Sequence, residues 1–464
     1  MVKLGITLLL LLLSGCAVGP RYKKPDMLLP QSYSVQIGQE NPKDAVCWWK
    51  AFNDPIMEGL IEKGLSQNYD FKIALEKIEA ARNLYRIDYA KIFPQINLFS
   101  DVLKANLGNG IFSRGVPTGN VTSKFIAIDT LWEIDLWGRL RSNKNASQYQ
   151  WEAQIEDMRD VLIILAAEIA QTYINICSLY KQIQVLSSSL KVDIQLLDLN
   201  KVTFKSGIDE ELIFLEQETS VDAFTTQIID LQAAQKIALN KLAFLLGQNP
   251  DQIVLDLNNI QDVPLPWQEV SVDKPYELLR RRPDIRKAER LLAASYEQIG
   301  SAMAEWFPKI SLLGFLGKPH NSGGNIQLGG LGGNDKIWAI GPLLEWPILD
   351  FGRIYFNIRV KESEQRQALL TYEKAVVNAL QDVENRLTSY DQEKKKMNYL
   401  QKKWESEGEK LRLARDRFTS GVDSELAFLV VEKRINELSL EIINSEEKIA
   451  SNFVALYKAF GGDW

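Results

Sequence analysis

Few side chains in this chain are equipped for chemistry. Its 464 residues include one histidine, His320, and three cysteines, Cys16, Cys47 and Cys177. His320 sits in a Gly-rich stretch with no neighbouring Cys or carboxylate cluster, so metal-ligand spacing is missing and a solvated loop residue is expected. The glycines from Gly323 to Gly333 fit neither the phosphate-loop spacing nor the dinucleotide fingerprint, and they read as an external loop. Arg280, Arg281 and Arg282 precede Pro283, which can begin a helix; a solvated basic turn accounts for them. No nucleophile–base pair, metal constellation or cofactor motif emerges, which points away from an enzyme. A net charge of −6 argues against nucleic acid as a partner, and 46% hydrophobic with 25% charged residues suits a folded protein.

The stronger signal is conformational. Residues Phe204 to Glu218 read FKSGIDEELIFLEQE and residues Phe418 to Glu432 read FTSGVDSELAFLVVE, each between two long helical patterns. Gly207 and Gly421 stand 214 residues apart, and that offset also relates Asp70 to Asp284, Phe93-Pro94 to Phe307-Pro308, Trp132 to Trp346, Gly138-Arg139 to Gly352-Arg353 and Gly247 to Gly461. One unit is therefore built twice. In each copy a glycine permits the tight backbone that ends one helix and turns to the next. Asp209 and Asp423 then suit a helix N-terminus, while such carboxylates gathered from several chains at one aperture would repel one another and attract cations. Leu212 and Leu426, one turn further on, could instead form an apolar constriction.

The elements that hold these turns follow from periodicity. Asn53 or Asp54 can cap a helix opening at Pro55, and a second helix from about Asp70 stops before Pro94. From Gln95 to Leu103 the period becomes two, with Ile96, Leu98, Ser100 and Val102 alternating with Gln95, Asn97, Phe99 and Asp101. Val121 to Trp132 can return as a second strand, and the second copy repeats the plan with Lys309 to Gly317 and Lys336 to Trp346. Strands of this length with Trp at their ends fit a tilted transmembrane β-barrel. Four strands cannot close a barrel and lipid does not tolerate an open edge, so membrane-embedded hairpins require an oligomer sharing one barrel. Beyond Gly138-Arg139 a heptad seam runs through Leu165, Ile169, Ile176, Leu186 and Leu190, broken at Thr172 and Asp193. A helix from Arg139 to Leu199 would be roughly 90 Å long.

The N-terminus carries Lys3, an apolar run from Leu4 to Leu13 and the tetrad LSGC ending at Cys16. The run suits a signal-peptide core, and the tetrad resembles the bacterial lipobox, which implies cleavage before Cys16 and lipidation of its thiol. Ala17 in place of aspartate resembles the outer-membrane sorting pattern. Cys47 and Cys177 are expected to be buried as small hydrophobes rather than paired. The domain plan is a signal peptide at 1–15, an extended tail at 16–54, a first repeat at 55–247, a connector at 248–282, a second repeat at 283–461 and an end at 462–464.

The stretches LSGCAVGP, WWKAFNDP, FPQI, DLWGR, LLRRRPDIRKAE, WFPKI, WPILDFGR and the two turns resemble the TolC-like outer-membrane efflux channel family, in its lipoprotein (NodT-type) branch. The resemblance covers nearly the whole mature chain. It implies a mainly α-helical mixed α/β membrane protein: a homotrimer with a twelve-stranded barrel, continued by a periplasmic coiled-coil tunnel. It implies a passive exit duct for drugs or other toxic compounds, joined by a periplasmic adaptor protein to an inner-membrane RND-type pump. Phe204, Ser206, Gly207, Phe418, Ser420 and Gly421 would then form the adaptor-docking tip, and Asp209, Leu212, Asp423 and Leu426 the periplasmic gate. No cofactor is implied. Where the family often places a carboxylate after the second turn, Leu429, Val430 and Val431 stand here. The competing reading is a periplasmic coiled-coil scaffold or adaptor lipoprotein whose hairpins never enter a bilayer.

Overall fold

The computed structural model describes residues 18–27, 29–34, 48–107, 119–207, 211–252, 262–267, 274–322 and 336–462. Cys16, Cys47 and Asp209, and the Gly-rich segment from Gly323, lie outside them. Helices α1 (Pro55–Gln67) and α2 (Tyr69–Ala90) lead into strands β1 (Gln95–Leu107) and β2 (Gly119–Ile134), then helices α3 (Arg139–Lys205) and α4 (Glu211–Leu245). The second copy runs through α5 (Pro283–Ala304), β3 (Lys309–Ser322), β4 (Ile337–Glu345), α6 (Arg353–Thr419) and α7 (Glu425–Ala459). Helix α1 starts as its residues dictate: Asp54 accepts the N–H groups of Ile56 and Met57, with Pro55 at the first helical residue. Helices α3 and α6 each have 67 residues, about 100 Å at the α-helical rise.

The chain divides into two compact units. The first comprises residues 1–26, 77–154 and 287–372. Its centre is one antiparallel sheet in the order β1-β2-β3-β4. Strands β1, β2 and β3 extend beyond the expected ends, while β4 falls one residue short of Lys336 and of Trp346. The first strand continues past Leu103 to Leu107, and the third past Gly317 to Ser322. His320 therefore belongs to a strand, where its backbone stands opposite Lys124, and not to a loop. The helix-bearing end of the sheet is pinned twice in the same way: the Trp132 indole N–H donates to the Ile92 carbonyl at 2.8 Å, and that of Trp346 to the Trp306 carbonyl at 3.0 Å. Trp137 stacks on Phe307 at 4.6 Å and donates to the Pro308 carbonyl. The extended tail is held here too, through Val18 N–H to the Trp137 carbonyl and through Tyr22 and Lys24 to Glu289.

The second unit comprises residues 27–76, 155–286 and 373–464. Its core joins Met57 and Ile61 of α1, Ile169, Tyr173 and Ile176 of α3, Leu242 of α4 and Phe453 of α7, all buried. The heptad seams face this core: Val376, Ala379, Val383 and Tyr390 of α6 are each at most 2% exposed. Cys177 is a buried free thiol, and burial pushes its pKa up to about 12, so it behaves as the expected small hydrophobe.

Each copy closes on itself through one joint. The Asn68 side-chain amide donates to the Leu245 carbonyl at 2.9 Å, and the Arg282 guanidinium donates to the Ala459 carbonyl at 2.8 Å. Those two donors, like their acceptors, are 214 residues apart. Arg282 also pairs with Asp284 at 2.8 Å and Asp382 at 3.4 Å, with its side chain 13% exposed. The basic triplet is thus not a solvated turn throughout; its last member is a half-buried hub, because the end of α7 needs a donor there.

Candidate functional site

The two hairpin turns are built alike from residues that each copy repeats. Gly207 has φ 69° and Gly421 φ 71°, the left-handed conformation that glycine adopts without a Cβ clash. Gly421 N–H donates to the Phe418 carbonyl and Val422 N–H to the Arg417 carbonyl, the paired bonds of a Schellman end. Gly207 N–H donates to the Phe204 carbonyl in the same manner. Ser206 and Ser420 return their hydroxyls to the Val202 and Asp416 carbonyls. The phenylalanines stack across each turn, Phe204 on Phe214 at 6.0 Å and Phe418 on Phe428 at 5.9 Å. Each pair staples the outgoing helix to the returning one beside the glycine. A Cβ added at Gly207 or Gly421 would meet no atom within 4 Å.

The proposed gate residues divide. Leu212 is 60% and Leu426 38% exposed on the first turns of α4 and α7. Asp423 does not cap α7. Ser424 does, its side chain accepting the Ala427 N–H, while the Asp423 carboxylate forms a two-pronged pair with Arg417 at 2.6 and 3.0 Å. The guanidinium holds the Asp423 carboxyl below the usual carboxylate range. The reason is geometric: the Schellman end returns the chain beside the last turn of α6, where Arg417 lies within reach. In the first copy the matching residue is Thr203, whose hydroxyl goes to the Leu199 and Asn200 carbonyls.

Above the turns, the two hairpins are tied together by residues that sequence reasoning registered only as a break in a seam. Asp193 of α3 is fully buried and accepts from Lys433 of α7 at 2.8 Å, from Gln217 at 2.6 Å and from Ser220 at 3.2 Å. Beside it Leu429 is buried against Val192 and Leu196. The apolar residue standing where the family often has a carboxylate is therefore packing material between hairpins.

Sheet register assigns the two faces of the strands. Residues opposite one another share a face, so Leu98, Ile128, Leu316 and Trp338 form one row and Ile96, Thr130, Gly314 and Ile340 the next. Leu98, Trp338 and Ile340 on this face are 68–70% exposed. The opposite face carries Asn97 hydrogen-bonded to Asp129, with Asp101, Glu133 and Glu345. One face thus suits lipid and the other water. Among the described residues neither β1 nor β4 has a partner on its outer edge.

Two open edges, one lipid-compatible face and two long helical hairpins define a subunit of a shared membrane channel. The chain matches the family described as outer membrane efflux protein over residues 60–248 and 275–462, and it belongs to that family. It is 29% identical over 455 residues to nodulation protein T of Rhizobium leguminosarum bv. trifolii, covering 98% of this chain and 96% of that protein. It is 27% identical over 461 residues to the cation efflux system protein CusC of Escherichia coli K12, covering 97% of each. Its fold superposes on the solved structure of the outer-membrane channel OprN with a TM-score of 0.83 at 28% identity, covering 96% of this chain and 99% of that one. The protein is accordingly an outer-membrane efflux channel component that extends into the periplasm, and its four strands form part of a trimeric barrel. The reading as a scaffold that stays out of the bilayer is set aside.

Proposed function

We propose that the turns at Phe204–Gly207 and Phe418–Gly421 are the docking surface for a periplasmic adaptor, which couples this passive channel to an inner-membrane RND-type pump. One observation carries this reading. Both glycines have open space where a side chain would be, so bare backbone is offered to a partner at close range. The stacked phenylalanines hold that backbone in one shape, which lowers the entropy lost on docking. The channel works without catalytic chemistry, and substrate choice rests with the pump. Leu212, Leu426 and the Arg417–Asp423 pair act as the periplasmic constriction, with Asp209 as their counterpart in the first copy. Cys16 carries lipid; in support, Val18, two residues on, is fastened to Trp137 at the helix-bearing end of the strands.

The test places a photo-crosslinking side chain at Ser206 or Ser420 in the full chain and irradiates living cells. Capture of a periplasmic protein of adaptor size at both sites, and loss of drug tolerance in Gly421→Trp with trimers intact, is the expected result. Normal tolerance in Gly421→Trp would sink tip docking.

A further inference from the structure

The strand carboxylates keep to one face, where Lys309 stands in register with Glu345. Asp101, Asp129, Glu133 and Glu345 all lie on the polar face. On the apolar face the register instead places lysines, and only toward the loop end of the sheet. Lys104 stands opposite Thr122, Lys124 opposite Val102, and Lys318 opposite Ile126. Lys336 directly precedes β4, and the pairing of Gly317 with Ile337 sets it beside Lys318. All four side chains are exposed. Neighbouring strands are about 5 Å apart and successive rows about 7 Å, so the four ammonium groups fall within one patch. No strand carboxylate shares their face.

The other end of this face has a different character. Trp132, Ile134, Ile310, Leu312 and Leu344 occupy it without a charge, as expected where tryptophans meet an ordinary phospholipid interface. Lysines on a lipid-facing surface are tolerated near an interface, where their stems lie along apolar surface and their heads reach polar groups. Below the patch, Leu98, Ile126, Ile128 and Leu316 line a shallow apolar groove that ends at Lys318 and Lys336. An acyl chain fits such a groove with its phosphate at the lysines. The loop end of a barrel whose helices occupy the periplasm faces the outer leaflet.

We propose that this face binds a phosphorylated, multiply acylated glycolipid of the outer leaflet, with acyl chains along Leu98, Ile128 and Leu316 and phosphates held by Lys104, Lys124, Lys318 and Lys336. Charge complementarity selects this occupant over a neutral lipid, and the position of the patch selects the outer leaflet.

The experiment is native mass spectrometry of the purified full-length trimer with three probes: diphosphorylated lipid A, the same lipid A after phosphatase treatment, and phosphatidylglycerol. Lipid A should be retained, with roughly tenfold weaker retention after dephosphorylation. The combined Lys104→Gln, Lys124→Gln, Lys318→Gln and Lys336→Gln variant should show a similar loss. If that variant does not assemble, Lys318→Gln with Lys336→Gln is measured instead and should lose several-fold. Equal retention by wild type and variant would overturn the site. Equal retention of phosphatidylglycerol and lipid A would overturn its assignment to the glycolipid.

Discussion

The two copies of the repeat solve the same geometric problem with different chemistry. At the joint, the first copy uses the neutral amide of Asn68 and the second the guanidinium of Arg282, both reaching the carbonyl at the end of the returning helix. At the tip, the second copy adds an ion pair, Arg417 with Asp423, where the first has Thr203 turned inward. The two copies therefore share backbone and donor direction, while at both places the second carries the charge. The lesson is that a fold constrains where a donor must be more tightly than what carries it.

The comparison can be broken most severely at Arg282. Arg282→Ala leaves the Ala459 carbonyl without its donor and strips Asp284 and Asp382 of their shared cation, though Ile285 N–H and Arg386 remain to them, and should cost about 3 kcal/mol, against about 2 kcal/mol for Asn68→Ala, which also loses the bond from the Phe71 N–H. Thermal unfolding of the two variants in detergent measures the difference; equal shifts would mean that the joints are equivalent. Next, Lys433→Met leaves Asp193 buried with only neutral donors and should lose about 2 kcal/mol in the same assay. It should also loosen the contact between hairpins, read as faster amide exchange in α7 near Leu429.

Smaller effects sharpen the contrast through pH. Burial, followed by the nearby Asp284 carboxylate, raises the pKa of Asp160. Its charged form opposes folding, a penalty absent below about pH 4, the unfolded value, and growing as pH rises through the folded value. Asp160→Asn should therefore raise the unfolding midpoint at pH 7 and give no gain at about pH 4. Asp423 has the opposite sign. Its depressed pKa makes its contribution complete above about pH 4 and lost as pH falls through the folded value. Acidification below about pH 4 should speed amide exchange at the second turn, and Arg417→Ala should abolish that dependence. The pair is exposed, so little change in global stability accompanies it.

Much of this was legible from residue spacing. The constant offset between Gly207 and Gly421, and between Trp132 and Trp346, marks the duplication because turns and strand ends need particular residues. Alternation from Gln95 to Asp101 identified the strand and its polar face. What escaped depends on distant chain segments. Arg282 looks like one of three similar arginines until Asp382 and Ala459 are brought beside it. Asp193 looks like a flaw in a heptad until Lys433 arrives from 240 residues away. The strand extensions past Leu103 and Gly317 run through Asn106, Pro319 and Asn321, whose local preferences oppose the strand and yield to pairing across the sheet. Arg417 and Asp423 are six residues apart, a spacing that only the Schellman end converts into contact.

The unpaired outer edges of β1 and β4 carry a genetic consequence. A subunit whose β4 edge is blocked, for example by a proline that removes a ladder donor, still offers a sound β1 edge and is still recruited. It then spoils the ring that it joins. With equal amounts of normal and blocked chains mixing at random, roughly one ring in eight contains only normal subunits. Loss of efflux should therefore be dominant for edge-blocking alleles and recessive for alleles that prevent the chain from folding at all.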